Sequence, residues 1–441
     1  MSEFCDSFAD NVWIEIISFL AFKDVASLSR VSKRLNSLCK TQLKTRTVLV
    51  VSDLVVSSYE GCFYAIDDRL VFPKHVTINN TEAELLLNKA LPLLPNLKTL
   101  CLDFVEDFTD DSLHLIADRL PNLRHLWLSC LSEVTDDGFA QLFRKLPNLE
   151  TLGFQYYHGS YDLSCFKHAP PVKQLFIGIF DTNALPTFTE NSKFMFQRLE
   201  SSLEKLHYAT LESEDTQQLF NFLQNYQRLN SLFLFYIMDL TNSRFDKLSN
   251  LNSLQELHLR LYEFNWEDGS VAFPVFSNVK TLSIETETFV ASKMEQFLQN
   301  FPNLEIIGVK ILDPYSEQSN FSQLVQLIAN MHSLKEVTLC YTRQFNNENN
   351  LLGSLLANLS NLTKLRFGNI KKNMFVSIVN GLNEVLNNNA ERIKSQVELF
   401  LEQHFGEREN IELNSKINVR DYSSCFERFF NASLKAYQAY F

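Results

Sequence analysis

The feature that most constrains this chain is a phrase that returns. Leu94-Pro-Asn-Leu-Lys-Thr-Leu-Cys-Leu102 comes back as Leu120-Pro-Asn-Leu-Arg-His-Leu-Trp-Leu128, and again as Leu146-Pro-Asn-Leu-Glu-Thr-Leu-Gly-Phe154. Inside each copy the pattern is L-x-x-L-x-L, where L stands for any aliphatic or aromatic residue. Its first position falls at Leu97, Leu123, Leu149, Val172, Leu203, Leu229, Leu254, Val279, Leu304, Leu334 and Leu362. Neighbouring copies are 26, 26, 23, 31, 26, 25, 25, 25, 30 and 28 residues apart. Self-similarity at such a period decides the architecture: each unit stacks on the last and shares one continuous core. A length of 441 residues would otherwise suggest domains of ~150 residues each.

Each regular copy reads as a strand, a turn and a helix. After Leu123 the helix is expected from Asp136 to Lys145, with Phe139, Leu142 and Phe143 inward. Asp110-Asp111 and Asp136-Asp137 resemble paired catalytic carboxylates, but their place in a first helical turn suits capping and the helix dipole. Upstream, Thr47 to Val51 suits a first buried strand. Val76 and Ile78, with Pro73 before them, read as an irregular repeat, and Ser57 to Asp68 as a loop. Insertions in such arrays map to loops, here Leu185 to Glu190 and Asp313 to Gln318. Past Phe367 the pattern dissolves. Phe375 to Leu386 reads as an amphipathic helix, and Val397, Leu399 and Leu401 as a strand, or as part of a helix from Ala390 to Gln403. Phe426 to Tyr437 reads as a helix sealing the open end.

Side chains alternate along a strand. If the second and third apolar positions are buried, the residues between and beside them line the opposite face. These include Trp127, Phe176, Phe233, Phe235, His258 and Arg260. Large apolar groups facing solvent mark a contact surface, and aromatics with Arg are common hot-spot types. The six residues are therefore the candidate partner-binding set. A tail or long loop folding over them is the alternative.

Composition removes several function classes. The formal net charge of −12 is opposite to what phosphate backbones require, so nucleic acid is not an expected partner. No segment approaches the ~18 uninterrupted apolar residues of a membrane span, and the start does not read as a signal peptide. The 8 Cys contain no C-x-x-C pair, and the 9 His show no ligand spacing. No metal site, disulfide framework or cofactor is expected. With 11 Gly, no phosphate-cradling loop, G-x-S-x-G or H-E-x-x-H is present. The chain reads as a non-catalytic protein of the cytoplasm or nucleus.

The first fifty residues differ from the rest. Val12, Ile16, Ile17, Phe19 and Leu20 follow helical spacing after Asp10, a candidate N-cap. A second helix starts at Asp24 with Val25, Leu28 and Val31, and a third runs from about Ser32 through Leu35, Leu38 and Leu43. Lys33, Arg34, Lys40, Lys44 and Arg46 read as the solvated face of the third helix. Three short helices bury little surface and should want a partner.

These residues carry two resemblances. The repeats are similar to leucine-rich repeats, and the copies at Leu97 and Leu123 resemble the cysteine-containing subtype. That likeness rests on Leu126-Trp-Leu-Ser-Cys130 followed by Val134-Thr-Asp-Asp-Gly-Phe139, and on Phe108-Thr-Asp-Asp-Ser-Leu113 one repeat earlier. The stretch from Phe8 to Leu35 resembles the F-box. Phe8 stands at that family's opening Leu, Val12 and Ile16 at first-helix apolar positions, and Leu20 at its next Leu. Asp24-Val25 matches the Asp-Leu pair, and Val31-Ser-Lys-Arg34 the Val-Cys-Lys-Arg run. Two positions depart: Ala9 stands for Pro, and Leu35 for an aromatic. Ala9 lacks the fixed φ that sets the turn before the first helix.

The resemblance implies an α/β solenoid. A short three-helix F-box would precede a leucine-rich-repeat horseshoe, with parallel β-strands on its concave face and helices on its convex face. The expected divisions are an F-box-like domain at 1–46, irregular leading repeats at 47–96, leucine-rich repeats at 97–370 and a C-terminal repeat or capping segment at 371–441. It also implies a substrate-recognition subunit of an SCF-type E3 ubiquitin ligase, contributing no catalytic residue. Phe8, Ala9, Val12, Ile16, Leu20, Asp24, Val25 and Val31 would bind a Skp-type adaptor and, through it, a cullin scaffold. The concave face would hold a protein substrate. The alternative is an interaction scaffold whose F-box no longer docks, or serves only to cap the array.

Overall fold

The structure is a computed structural model. It describes residues 9–18, 25, 27–45, 48–52, 87–88, 91–103, 108–128, 131, 133–156, 163–179, 190–209, 213–237, 242–264, 273–311, 318–341, 359, 361–368, 397–401 and 417–421. The chain forms two compact units, one built on Met1–Leu203 and the other on Glu204–Lys435.

The first unit opens with helices α1 (Asp10–Ser18) and α2 (Lys33–Thr45). Their apolar residues recur every fourth position: Trp13 and Ile17 from α1 meet Leu35, Cys39 and Leu43 from α2, with Val25 between them. Leu35 thus fills the interior. Asp10 is not the N-cap. The Ala9 carbonyl accepts from the amides of Val12 (3.1 Å) and Trp13 (3.3 Å). Asp10 lies inside the first turn, where its carboxylate is drawn to the Arg34 guanidinium at 2.7 Å. Ser32 caps α2 by accepting from the Leu35 amide at 3.1 Å. The α2 end is tied to the repeats by Asn96, whose side chain donates to the Lys44 carbonyl at 2.8 Å.

A parallel sheet follows: β1 (Val48–Ser52), β2 (Thr99–Asp103), β3 (His125–Leu128), β4 (Thr151–Tyr156) and β5 (Gln174–Ile179), each paired with the next. Helices α3 (Asp110–Arg119), α4 (Asp136–Lys145) and α5 (Glu190–Leu199) alternate with the strands. In the short 23-residue spacing the helix shrinks to a 3-10 turn, Ser164–His168. β1 pairs directly with β2 in register, Val48 to Thr99, so no strand from the 46 residues between them intervenes in that pairing. Val76, Ile78 and the loop from Ser57 lie outside the described residues.

The second unit repeats the plan. Its strands are β6 (Lys205–Ala209), β7 (Ser231–Ile237), β8 (Glu256–Phe264), β9 (Thr281–Phe289), β10 (Ile306–Ile311), β11 (Glu336–Tyr341), β12 (Lys364–Gly368), β13 (Val397–Leu401) and β14 (Ile417–Asp421). Every neighbouring pair is parallel. Helices α6 (Ser213–Leu223), α7 (Asn242–Leu248), α8 (Ala291–Leu298) and α9 (Gln318–Ala329) lie between them in sequence. Residues 397–401 are the strand rather than a helix. β14 then extends the parallel sheet within the segment expected to hold a further repeat or a cap. The loops expected at Leu185–Glu190 and Asp313–Gln318 lie outside the described residues except for Glu190 and Gln318, which instead begin α5 and α9; the helices expected in 371–396 and 422–441 also lie outside them.

The repeating leucines build the core between sheet and helices. Leu126, Leu152, Leu206, Leu232, Leu257, Leu282, Ile307, Val337 and Leu365 are all fully buried. Phe fills the wider gaps: Phe139 packs on Phe154 at 5.6 Å and Phe143 on Phe166 at 5.3 Å. In the second unit Phe245 meets Phe220, Phe276 and Phe297. Dense interiors leave no void behind such rings. The polar residue before several anchors also reaches back one repeat, as from Asn278 to the Asn252 carbonyl, from Asn303 to Ser277 and from Asn361 to His332.

Candidate functional site

Two surfaces carry the candidate residues. On the N-terminal helices, Val12 is 37% exposed, Ile16 39% and Val31 46%. They follow from helical geometry: Val12 and Ile16 are four apart and share a face, while their neighbours Trp13 and Ile17 turn inward. Three β-branched aliphatics left in water beside a formed core are what a docking surface looks like. Ala9 is exposed at the start of that face. Val25 does not join it, being fully buried; its role is to hold the helices together. Phe8, Leu20 and Asp24 lie outside the described residues.

The second surface is the sheet face turned away from the helices. Trp127 and Phe176 were expected to project into solvent, yet they are 5% and 1% exposed. The reason lies in the residue between them. In register, Trp127 of β3 faces Gly153 of β4, which faces Phe176 of β5. The absence of a side chain at Gly153 lets the indole lie across the strand, where a Cβ would sit 1.7 Å from its Cε3. The indole then meets Phe176 at 5.7 Å.

In the second unit Phe233, 5% exposed, is also covered. It is sandwiched in a column of rings, His207–Phe233–His258, one from each of β6, β7 and β8. Both centroid separations are 3.7 Å, with planes at 20° and 3°. His258 Nδ1 bonds Ser283 Oγ at 2.5 Å. Burial, reinforced by nearby Lys205, lowers the His258 pKa to about 3. Burial, with His258 and Lys205, also holds His207 well below 6.5. Both imidazoles are neutral at pH 7, so the column stacks without charge. Phe235 lies in β7 opposite Arg260; its side chain is outside the described set.

The charged residues of this face are ordered by the same register. Arg260, 37% exposed, and Lys310, 23% exposed, flank Glu285 at 3.6 Å and 3.2 Å. Strand alternation places Arg260 on this face, but the pairing depends on strand register across three repeats. Lys364 and Arg366 together bind Glu336. Burial opposes Glu336 ionisation, but the Lys364 hydrogen bond and Arg366 outweigh it and hold the carboxyl below its usual range.

The paired acids lie in the first turns of α3 and α4, as expected for the helix dipole, but they are not the caps. Thr135, not an Asp, caps α4 by accepting from the Gly138 amide at 3.3 Å. Asp110 reaches from α3 to the Thr135 amide (2.8 Å) and hydroxyl (2.7 Å). Asp136 likewise accepts from the Cys165 amide at 3.3 Å. These acids join one repeat to the next. Among the described residues no group of three or more His, Cys, Asp or Glu is placed to hold a metal ion, and no helix is long and apolar enough to cross a membrane. Cys39, Cys165 and Cys340 are buried.

A strand–turn–helix unit stacked through parallel strands, with L-x-x-L-x-L filling its core, is the fold of leucine-rich repeats. Residues 6–47 match the F-box domain, and strands and helices of this repeat fold follow them. No curated protein matches the sequence. Among solved structures, a chain of the yeast Rad7 and Elc1 complex shares 16% identity over 76% of each chain, with a TM-score of 0.39. A leucine-rich-repeat protein of Leptospira interrogans shares 14%, covering 67% of this chain and 85% of that one, with a TM-score of 0.28. Internalin C2 of Listeria monocytogenes shares 17%, over 60% and 87%, with a TM-score of 0.26.

Proposed function

We propose that this protein is the substrate-recognition subunit of an SCF-type E3 ubiquitin ligase. The observation that carries this reading is the F-box at residues 6–47, with Val12, Ile16 and Val31 left outward by a core that needs none of them. That face takes a Skp-type adaptor, which bridges to a cullin. The helix-free sheet face of each unit is the place for a protein substrate, with Trp127 and Phe176 as buried floor in the first unit, and Phe233 and His258 as buried floor beside the more exposed Arg260 in the second; Phe235 belongs to the same candidate set. The chain supplies no catalytic group of its own. It acts by proximity and orientation, in the cytoplasm or nucleus.

The test is co-purification from a eukaryotic lysate, wild type against Ile16→Asp, probed for adaptor and cullin. Capture by the wild type alone supports the receptor reading. Capture by neither, with both folded, leaves a repeat scaffold whose F-box does not dock.

A further inference from the structure

The first unit gathers positive charge on one edge. Each helix there ends a few residues before the next strand begins, so helix ends and strand starts share that edge. Just ahead of the strands stands a row of four, Lys98, Arg124, Glu150 and Lys173, linked in order by amide-to-carbonyl bonds of 2.8, 2.7 and 2.8 Å. Arg124 and Lys173 both bind Glu150 at 3.0 Å, yet their side chains are 52% and 47% exposed against its 31%. Three cations therefore stand against one carboxylate. A second row closes the helices: Arg119 ends α3, Arg144 and Lys145 end α4, and Lys167 and His168 end the 3-10 turn. Asp118 holds Lys145. Arg144 donates to His168 Nε2 at 2.8 Å, so that imidazole is a neutral acceptor. At the end of α5, Arg198 and Glu200 offset each other in count. Lys98, Arg119 and Lys167 are exposed and form no ion pair among the described residues.

Cations in a last helical turn answer the helix dipole, but the dipole does not account for this edge. Helices α6, α8 and α9 of the second unit end without any basic residue, so the fold does not require one. Lys98, Arg124 and Lys173 lie outside helices altogether. The surplus also stands in a chain whose net charge is −12.

We infer that this edge binds an acidic protein segment in extended conformation, lying along the row from Lys98 to Lys173. Three strand steps of ~4.8 Å separate those lysines, or about 14 Å. Residues i and i+4 of an extended segment are about 13 Å apart and point to the same side. Carboxylates at i and i+4 then meet the Lys98–Arg124 pair and Lys173, while residue i+2 passes Glu150 and is uncharged. A nucleic acid fits less well, since its unbroken phosphates would meet Glu150 and then the net negative charge of the rest of the chain. Complementary charge gives register and on-rate more than raw affinity, so binding weakens steeply with salt. Adaptor docking through Val12 and Ile16 uses different residues, so this contact does not depend on it.

The experiment uses the full chain and three labelled peptides of equal length, with Glu, Gln or Lys at positions i and i+4. The Glu peptide should bind at low salt despite the protein's overall negative charge. Its affinity should fall at least fivefold in Lys98→Glu/Lys173→Glu, and by a smaller factor in the milder Lys98→Gln/Lys173→Gln. It should stay within about twofold in Lys280→Glu/Lys335→Glu, which changes net charge equally beside Glu305 of the second unit. An equal loss in both Glu double variants overturns the inference, because only long-range repulsion would be at work. Binding of the Gln or Lys peptide in place of the Glu peptide, or of none, overturns it as well. If a single-stranded oligonucleotide binds more tightly than the Glu peptide and is released by Lys98→Glu/Lys173→Glu, the acidic-protein class is wrong.

Discussion

Trp127 lies flat across Gly153, so closely that a Cβ at residue 153 would fall 1.7 Å from the indole. The glycine is there for the ring, and the ring reaches Phe176 only because of it. Gly153→Ala should therefore displace the indole and lower stability by about 1–3 kcal/mol, the usual range for overpacking. Thermal denaturation read by tryptophan fluorescence checks it. An unchanged melting temperature with unshifted emission would contradict this packing.

The His207–Phe233–His258 column predicts a loss of stability in mild acid. Both folded-state pKa values lie below 6.5, so between pH 6.5 and about 3 the unfolded chain binds protons that the folded chain refuses. Stability is complete above pH 6.5 and falls as pH drops, by up to about 1.4 kcal/mol per pH unit for each histidine. The carboxylates held low, Glu150, Glu305 and Glu336, lose their contribution only below their unfolded value of 4.5. Urea midpoints between pH 7 and 5 isolate the histidines, and His258→Phe should reduce the slope.

Asp110 and Gly138 should be coupled. The Asp110 carboxylate sits where a Cβ on residue 138 would come, 2.0 Å from its Oδ1, and it binds the Thr135 cap. Asp110→Ala should cost about 1 kcal/mol through the lost cap support. Gly138→Ala should destabilise the wild type but be nearly neutral in the Asp110→Ala background. A double-mutant cycle with no coupling would contradict the contact.

Much of this architecture was legible because it is written as a period. The anchors from Leu97 to Leu362 set strand positions, and the helix from Asp136 to Lys145 falls where Phe139 and Phe143 required it. What periodicity does not carry is what happens between strands. Trp127 and Phe176 were expected to be exposed because alternation assigns a face, whereas burial on that face depends on the residue one repeat away, here Gly153. The Arg260–Glu285–Lys310 set likewise spans three repeats. The last strand, Ile417–Asp421, lacks the full motif and shows only the short alternation of Ile417 and Val419. In the F-box, helical spacing marked Val12 and Ile16 without saying which side of the helix the core would take. Their neighbours Trp13 and Ile17 decided it.

The most direct measurement of the central claim is a binding titration of the purified full-length protein against a purified Skp-type adaptor. Val12→Asp, Ile16→Asp and Val31→Asp should be run beside the wild type. All three side chains are outward, so each variant should melt within about 1 °C of the wild type, as surface changes have little effect on stability. The account predicts saturable binding by the wild type and losses of at least tenfold in Val12→Asp and Ile16→Asp, as expected for apolar anchors at an interface. Undetectable wild-type binding, or wild-type affinity in folded Ile16→Asp, would contradict it.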